Sequence, residues 1–94
     1  MIFAKASRYV INPEKLKGFI DYLFILTKKT RMKEENLSFE YSVDPEGIVI
    51  VLERWSTRLD YEKFMQLEEF KQEFKTLNKM CKSVNTLYDV DLVK

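Results

Sequence analysis

Few side chains in this chain could do chemistry, and the absent types matter as much as those present. No histidine occurs among the 94 residues. The commonest general base at neutral pH and the commonest metal ligand are therefore both missing. Ser-His-Asp and Cys-His catalysis are excluded, and the composition argues against a zinc site. The single cysteine, Cys81, follows Met80 at the end of a helical pattern. A thiolate there would face the negative end of the helix dipole, so Cys81 reads as structural. What remains is an indole N–H at Trp55, phenols at Tyr41 and Tyr88, adjacent charges at Glu53 and Arg54, and an amide at Asn85. In an extended segment Glu53 and Arg54 point to opposite faces. One of them is then buried and paired, across the sheet or across a subunit interface, because an unpaired buried charge is costly. The other reading gives Arg54 an anionic substrate to steady.

The elements that must position these groups begin with the run Ile48-Val49-Ile50-Val51-Leu52, which carries no charge and ends in Glu53-Arg54-Trp55. A strand with one wet face alternates apolar and polar residues; this one is apolar on both faces and must be covered on both. Before it, Leu37, Phe39, Tyr41 and Val43 alternate with Ser38, Glu40 and Ser42, and Asp44-Pro45-Glu46-Gly47 reads as a reverse turn, so the two strands form an antiparallel hairpin. The first strand spans Ile2 to Ile11, with Phe3, Tyr9 and Ile11 on one face and Ile2, Ala4, Ala6 and Val10 on the other. Asn12-Pro13-Glu14 then starts a helix, Asn12 serving as cap, whose stripe holds Leu16, Phe19, Ile20, Leu23, Ile25, Leu26 and Thr30. Ser56 or Thr57 caps a second helical region, which the spacing of Leu59, Phe64, Met65, Leu67, Phe70, Phe74, Leu77 and Met80 divides in two near Leu67 to Glu69. The last strand runs from Ser83 to Val93, with Val84, Thr86, Tyr88, Val90 and Leu92 sharing a face. The order β-α-β-β-α-β defines an α+β, ferredoxin-like domain with an antiparallel sheet and both helices on one side.

Composition supports this reading. The chain makes one domain, residues 1–94, and a chain this short buries only roughly 60–65% of its unfolded surface. Its hydrophobic share of 46% suits a molecule that buries a second surface, and a homodimer with sheet packed on sheet covers the apolar face left by the helices. The net charge of +1 gives no case for nucleic acid, and Lys28, Lys29, Arg31 and Lys33 read as a solvated helix end. Met1-Ile2-Phe3-Ala4-Lys5 lacks the basic start and apolar core of a signal peptide, and no apolar run approaches the ~20 residues of a membrane span. With one cysteine and no disulfide, the expected location is a reducing cytoplasm.

Leu37-Ser38-Phe39-Glu40-Tyr41, the turn Asp44 to Gly47, Val51-Leu52-Glu53-Arg54-Trp55, the segment with Leu59, Phe64 and Leu67, and the pair Glu69-Phe70 together resemble the antibiotic biosynthesis monooxygenase family of dimeric α/β barrels. The element order extends this resemblance over nearly the whole chain. The chain departs from the family at Asn36-Leu37, where a Gly-Cys or similar small pair is common, and at Phe64 and Glu69, where histidines are common. It also lacks the axial histidine and first-strand asparagine of the heme-degrading branch, with Ser7 near the latter position, so heme degradation is not implied.

The resemblance implies a monooxygenase with no cofactor and no metal. A small aromatic or quinol-like substrate would be held between sheet and helices and deprotonated, and would then react with oxygen directly. The protein would supply orientation, desolvation and stabilisation of the phenolate. The implied pocket is lined by Phe39, Tyr41, Trp55, Phe64, Phe70 and Tyr88, with Tyr22 as further aromatic wall and Trp55 and Tyr41 as the catalytic candidates. Each candidate has a structural alternative. Trp55 can simply anchor the end of its strand, and Tyr41 and Tyr88 can be packed core or interface residues. Two rivals use the same scaffold: a small-metabolite isomerase or epimerase, signalled by a carboxylate of raised pKa in the pocket, and a non-catalytic dimeric binder of a small apolar ligand.

Overall fold

Alternation along the first strand decides which way the sheet faces. The computed structural model describes residues 1–93, with elements β1 (Ile2–Ile11), a 3-10 turn (Pro13–Lys15), α1 (Leu16–Arg31), β2 (Asn36–Val43), β3 (Ile48–Trp55), α2 (Arg58–Gln66), α3 (Glu68–Lys79) and β4 (Cys81–Leu92). The sheet is antiparallel throughout, in the order β2-β3-β1-β4, so the two most apolar strands lie at its centre. Phe3, Lys5, Ser7 and Tyr9 of β1 pair with Trp55, Glu53, Val51 and Val49 of β3 and share the face beneath the helices. Ala4, Ala6, Arg8 and Val10 pair with Arg54, Leu52, Ile50 and Ile48 on the other face, which no helix covers.

The core lies between sheet and helices. Phe19, Leu23 and Leu26 of α1, Leu77 of α3 and Phe39 and Val49 of the sheet are fully buried. Each such side chain contributes about 1.5–3 kcal/mol. Ile25 stands off the α1 stripe, and Leu59 and Leu67 project from the second helical region. That region breaks at Leu67, whose backbone is extended (ψ 125°) between α2 and α3. Thr57 caps α2, its side chain accepting from the Asp60 N–H at 3.1 Å. Asn12 makes no side-chain cap; its backbone carbonyl accepts from Lys15 N–H at 2.8 Å, so Pro13 opens a 3-10 turn before α1 begins. The hairpin turn forms around Asp44, whose Oδ1 accepts from Glu46 N–H and Ile48 N–H. Gly47 takes φ +82°, a conformation that costs other residues about 1–2 kcal/mol.

Two strand details depart from simple alternation. Pairing of β2 with β3 slips between Asn36 and Ser38, leaving Leu37 exposed instead of sharing the buried face of Phe39. In β4 the register jumps from Ala6–Tyr88 to Ser7–Thr86, so Leu87 is an extra, bulged residue. A single-residue insertion reverses every side chain beyond it. Val84 and Thr86 therefore face the helices, whereas Tyr88, Val90 and Leu92 share the uncovered face with Ala4, Leu52 and Arg54.

Candidate functional site

Between the sheet and the pair α2–α3, a cavity of about 110 Å³ opens over β1 and β4. That is less than the ~150 Å³ apolar cavity that holds benzene, so a single ring enters fully only where a flexible lining side chain such as Met65 gives way. Its floor is polar at positions that alternation turns inward: Lys5, Ser7 and Tyr9 from β1, Glu53 from β3 and Thr86 from β4. Its roof is Tyr61 and Met65 of α2 with Phe74 and Asn78 of α3.

Glu53 is the chemical centre of this cavity. It is 7% exposed, and its Oε1 accepts from Trp55 Nε1–H at 2.9 Å. Burial raises its pKa above the ordinary carboxyl range, opposed by the Trp55 hydrogen bond and by the charge of Lys5, which stands directly across the β1–β3 ladder. Lys5 Nζ donates to the Tyr61 hydroxyl at 2.7 Å. Burial raises the Tyr61 pKa too, against the pull of that hydrogen bond. Because the Tyr61 oxygen already takes a proton donor from Lys5, its own O–H is left to donate to a guest. Tyr9 is held protonated well above its usual range, chiefly by burial and then by the nearby Glu53 charge. The cavity thus joins a carboxylate made more basic by desolvation to a cation-backed phenol, a base opposite an oxyanion donor.

The structure gathers four of the six aromatics expected to form a pocket wall, as packed core. Phe39, Trp55, Phe64 and Phe70 are at most 3% exposed. Ring centroids lie 4.5 Å apart for Trp55–Phe64 and 4.3 Å for Phe64–Phe70. The Trp55 indole N–H is taken by Glu53, so Trp55 positions that carboxylate. Tyr41 sits half-buried on the edge strand β2, separated from β1 by β3. Tyr88 lies on the uncovered sheet face, opposite the helices. Tyr22 is half-buried against the core. Of the adjacent pair, Glu53 is the buried charge and Arg54 the exposed one. Asn85 pairs with Arg8 on the uncovered face. Lys5 and Tyr61 escaped the sequence reading. The available signal was a charged residue at an inward position between Phe3 and Tyr9, which becomes telling once β1 is laid against β3.

Fold and cavity together define a ferredoxin-like α+β domain with its candidate site between sheet and helices. The profile of the antibiotic biosynthesis monooxygenase family matches residues 1–76, and the chain belongs to that family. No curated protein sequence matches it. Among solved structures, one described as an antibiotic biosynthesis monooxygenase superposes with a TM-score of 0.85 at 21% identity, covering 100% of both chains. A conserved protein from Methanosarcina mazei gives 0.81 at 19% identity, over 92% of this chain and 90% of its own. A Mycobacterium tuberculosis protein gives 0.81 at 14% identity with full coverage of both. At such identities the likeness establishes the fold. Among the described residues no helix is long and apolar enough to cross a membrane.

Proposed function

We propose that this protein is a cofactor-independent monooxygenase of a small phenol or quinol, working as a cytoplasmic homodimer. The observation that carries the reading is the buried Glu53 carboxylate beside Lys5 on the floor of a small cavity, with Tyr61, held by Lys5, on its roof. Glu53 takes the proton of a substrate hydroxyl, and Tyr61, backed by Lys5, donates to the ring oxygen where charge develops. The electron-rich ring then gives up an electron to dioxygen, and the two radicals join at a ring carbon bearing hydrogen. Loss of water from the resulting hydroperoxide leaves a quinone carbonyl, so the substrate supplies all the electrons. Membership in the family supports the reaction class.

The raised pKa of Glu53 also favours a second reading, a small-metabolite isomerase or epimerase. There Glu53 would take a proton from carbon beside a carbonyl whose oxygen is held by Tyr61. Oxygen uptake by metal-stripped protein with a panel of reduced quinones and polyphenols separates the two. Uptake above the autoxidation blank, lost about 100-fold or more in Glu53→Gln, is the expected result. No uptake, with solvent deuterium entering a carbonyl substrate, would replace oxygenation by isomerisation. Binding without turnover would indicate a non-catalytic ligand carrier.

A further inference from the structure

We propose that the substrate is anionic: its ring occupies the cavity while a carboxylate, sulfate or phosphate side chain lies in a lysine groove on α3. The inference rests on reading the cavity as a substrate site. Met65, Phe74 and Asn78 border the cavity and also border a groove of about 700 Å³ along α3, so the two spaces share a wall. The groove's other side is Lys71, Lys75 and Lys79, one helical turn apart.

Charge on α3 is sorted by face. Glu69 and Glu73 turn towards α1, where Lys29 lies 3.8 Å and 3.6 Å from them. Lys71, Lys75 and Lys79 take part in no ion pair among the described residues. Like charges at this spacing destabilise a helix by a few tenths of a kcal/mol per pair, a cost that the helix dipole offsets at Lys79 in the last turn. Among the described residues Glu68 is the one carboxylate bordering the groove, and it accepts from Gln72 Nε2–H at 3.0 Å. Three lysines against one carboxylate leave the groove net cationic, with the apolar Met65 and Phe74 bordering both it and the cavity. A neutral quinol would use the cavity alone. A ring with an anionic tail of a few atoms would place the ring at the cavity and the tail among the lysines, which steer it in.

Calorimetric titration under nitrogen tests this, using hydroquinone-acetate and its neutral methyl ester as probes. Exposed ion pairs contribute modestly one by one, so the three lysines together should favour the acid by about tenfold. That preference should vanish in the triple variant Lys71→Gln, Lys75→Gln, Lys79→Gln and at ~1 M salt, where the Debye length falls to ~3 Å. It should survive in the triple arginine variant, which keeps the charge. Equal affinity for acid and ester, or a preference untouched by the glutamine variant, overturns the proposal. Binding of neither probe by folded protein overturns it together with the cavity reading. The experiment reads binding without oxygen, so a preference for the acid followed by no oxygen uptake in air would sink the oxygenase reading and leave the anion groove standing.

Discussion

Glu53 carries a cost that its own pH behaviour should reveal. Burial raises the pKa of the folded carboxyl above its unfolded value, so the folded state holds the proton more tightly. The stability associated with Glu53 is then fully present below the unfolded pKa and is lost as pH rises through the folded pKa. Glu53→Gln removes that loss while its amide oxygen still accepts from Trp55 Nε1–H. Thermal melts should show the variant gaining on wild type as pH rises from about 4 to 8; a variant that loses ground would mean the Lys5 charge outweighs burial. Cys81 tests the same physics from the other side. Its Sγ–H donates to the Leu77 carbonyl at 3.6 Å, and burial pushes its pKa up to about 11. A raised pKa lowers the thiolate fraction at pH 8, while the more basic thiolate is the better nucleophile, so Ellman's reagent should react about tenfold more slowly than with urea-unfolded protein. A rate near the unfolded value would refute the raised pKa of this half-buried thiol. At this scale the sequence exposed the ingredients and hid their arrangement. Glu53 and Arg54 had to face apart because successive strand residues do. That Glu53 would meet Lys5 depended on which strands became neighbours. That Trp55 would spend its N–H on Glu53 depended on two side chains, two residues apart, both turning inward.

Elements were more legible, because period and punctuation are local properties. The Asp44–Gly47 turn, the cap at Thr57 and the break at Leu67 each follow from residues within one turn of the feature. The bulge at Leu87 follows from nothing local: an unbroken pattern from Val84 to Leu92 predicts one face, and only pairing with β1 shows the extra residue. It matters to function because it lets one strand serve two surfaces. Thr86 lines the cavity, and Tyr88 reaches the opposite face. Deleting Leu87 would make Thr86 and Tyr88 neighbours, and plain alternation would then keep both halves of β4 on their present faces. The deletion should therefore lower the urea midpoint only modestly. Leu87→Ala should shift stability by no more than ~0.5 kcal/mol, since that side chain is already 52% exposed. A sharp loss in the deletion alone would mean that the bulge itself, and not alternation, holds Thr86 and Tyr88 on their two faces.

Over the whole molecule, the sheet divides two tasks between its faces. One face carries the cavity; the other presents Ile48, Ile50 and Leu52 with Ala4, Ala6 and Val90 and has no helix over it. Leu52 is 45% exposed and Val90 39%, although both lie in the middle of apolar surroundings. Contiguous apolar surface of this kind marks an interaction site, and a self-complementary sheet face pairs most simply about a two-fold axis. Light scattering at micromolar concentration should therefore give about twice the 11.3 kDa chain mass. Leu52→Arg places a charge at the centre of that face without touching the helix-side core, and it should yield the monomer mass. The neighbouring Glu53 points to the other side. Loss of pairing should therefore lower the melting temperature and remove its dependence on protein concentration, while Glu53 keeps the pH signature described above. A wild-type monomer, or a Leu52→Arg dimer as tight as wild type, would place the contact elsewhere and leave the apolar face of β3 without a partner.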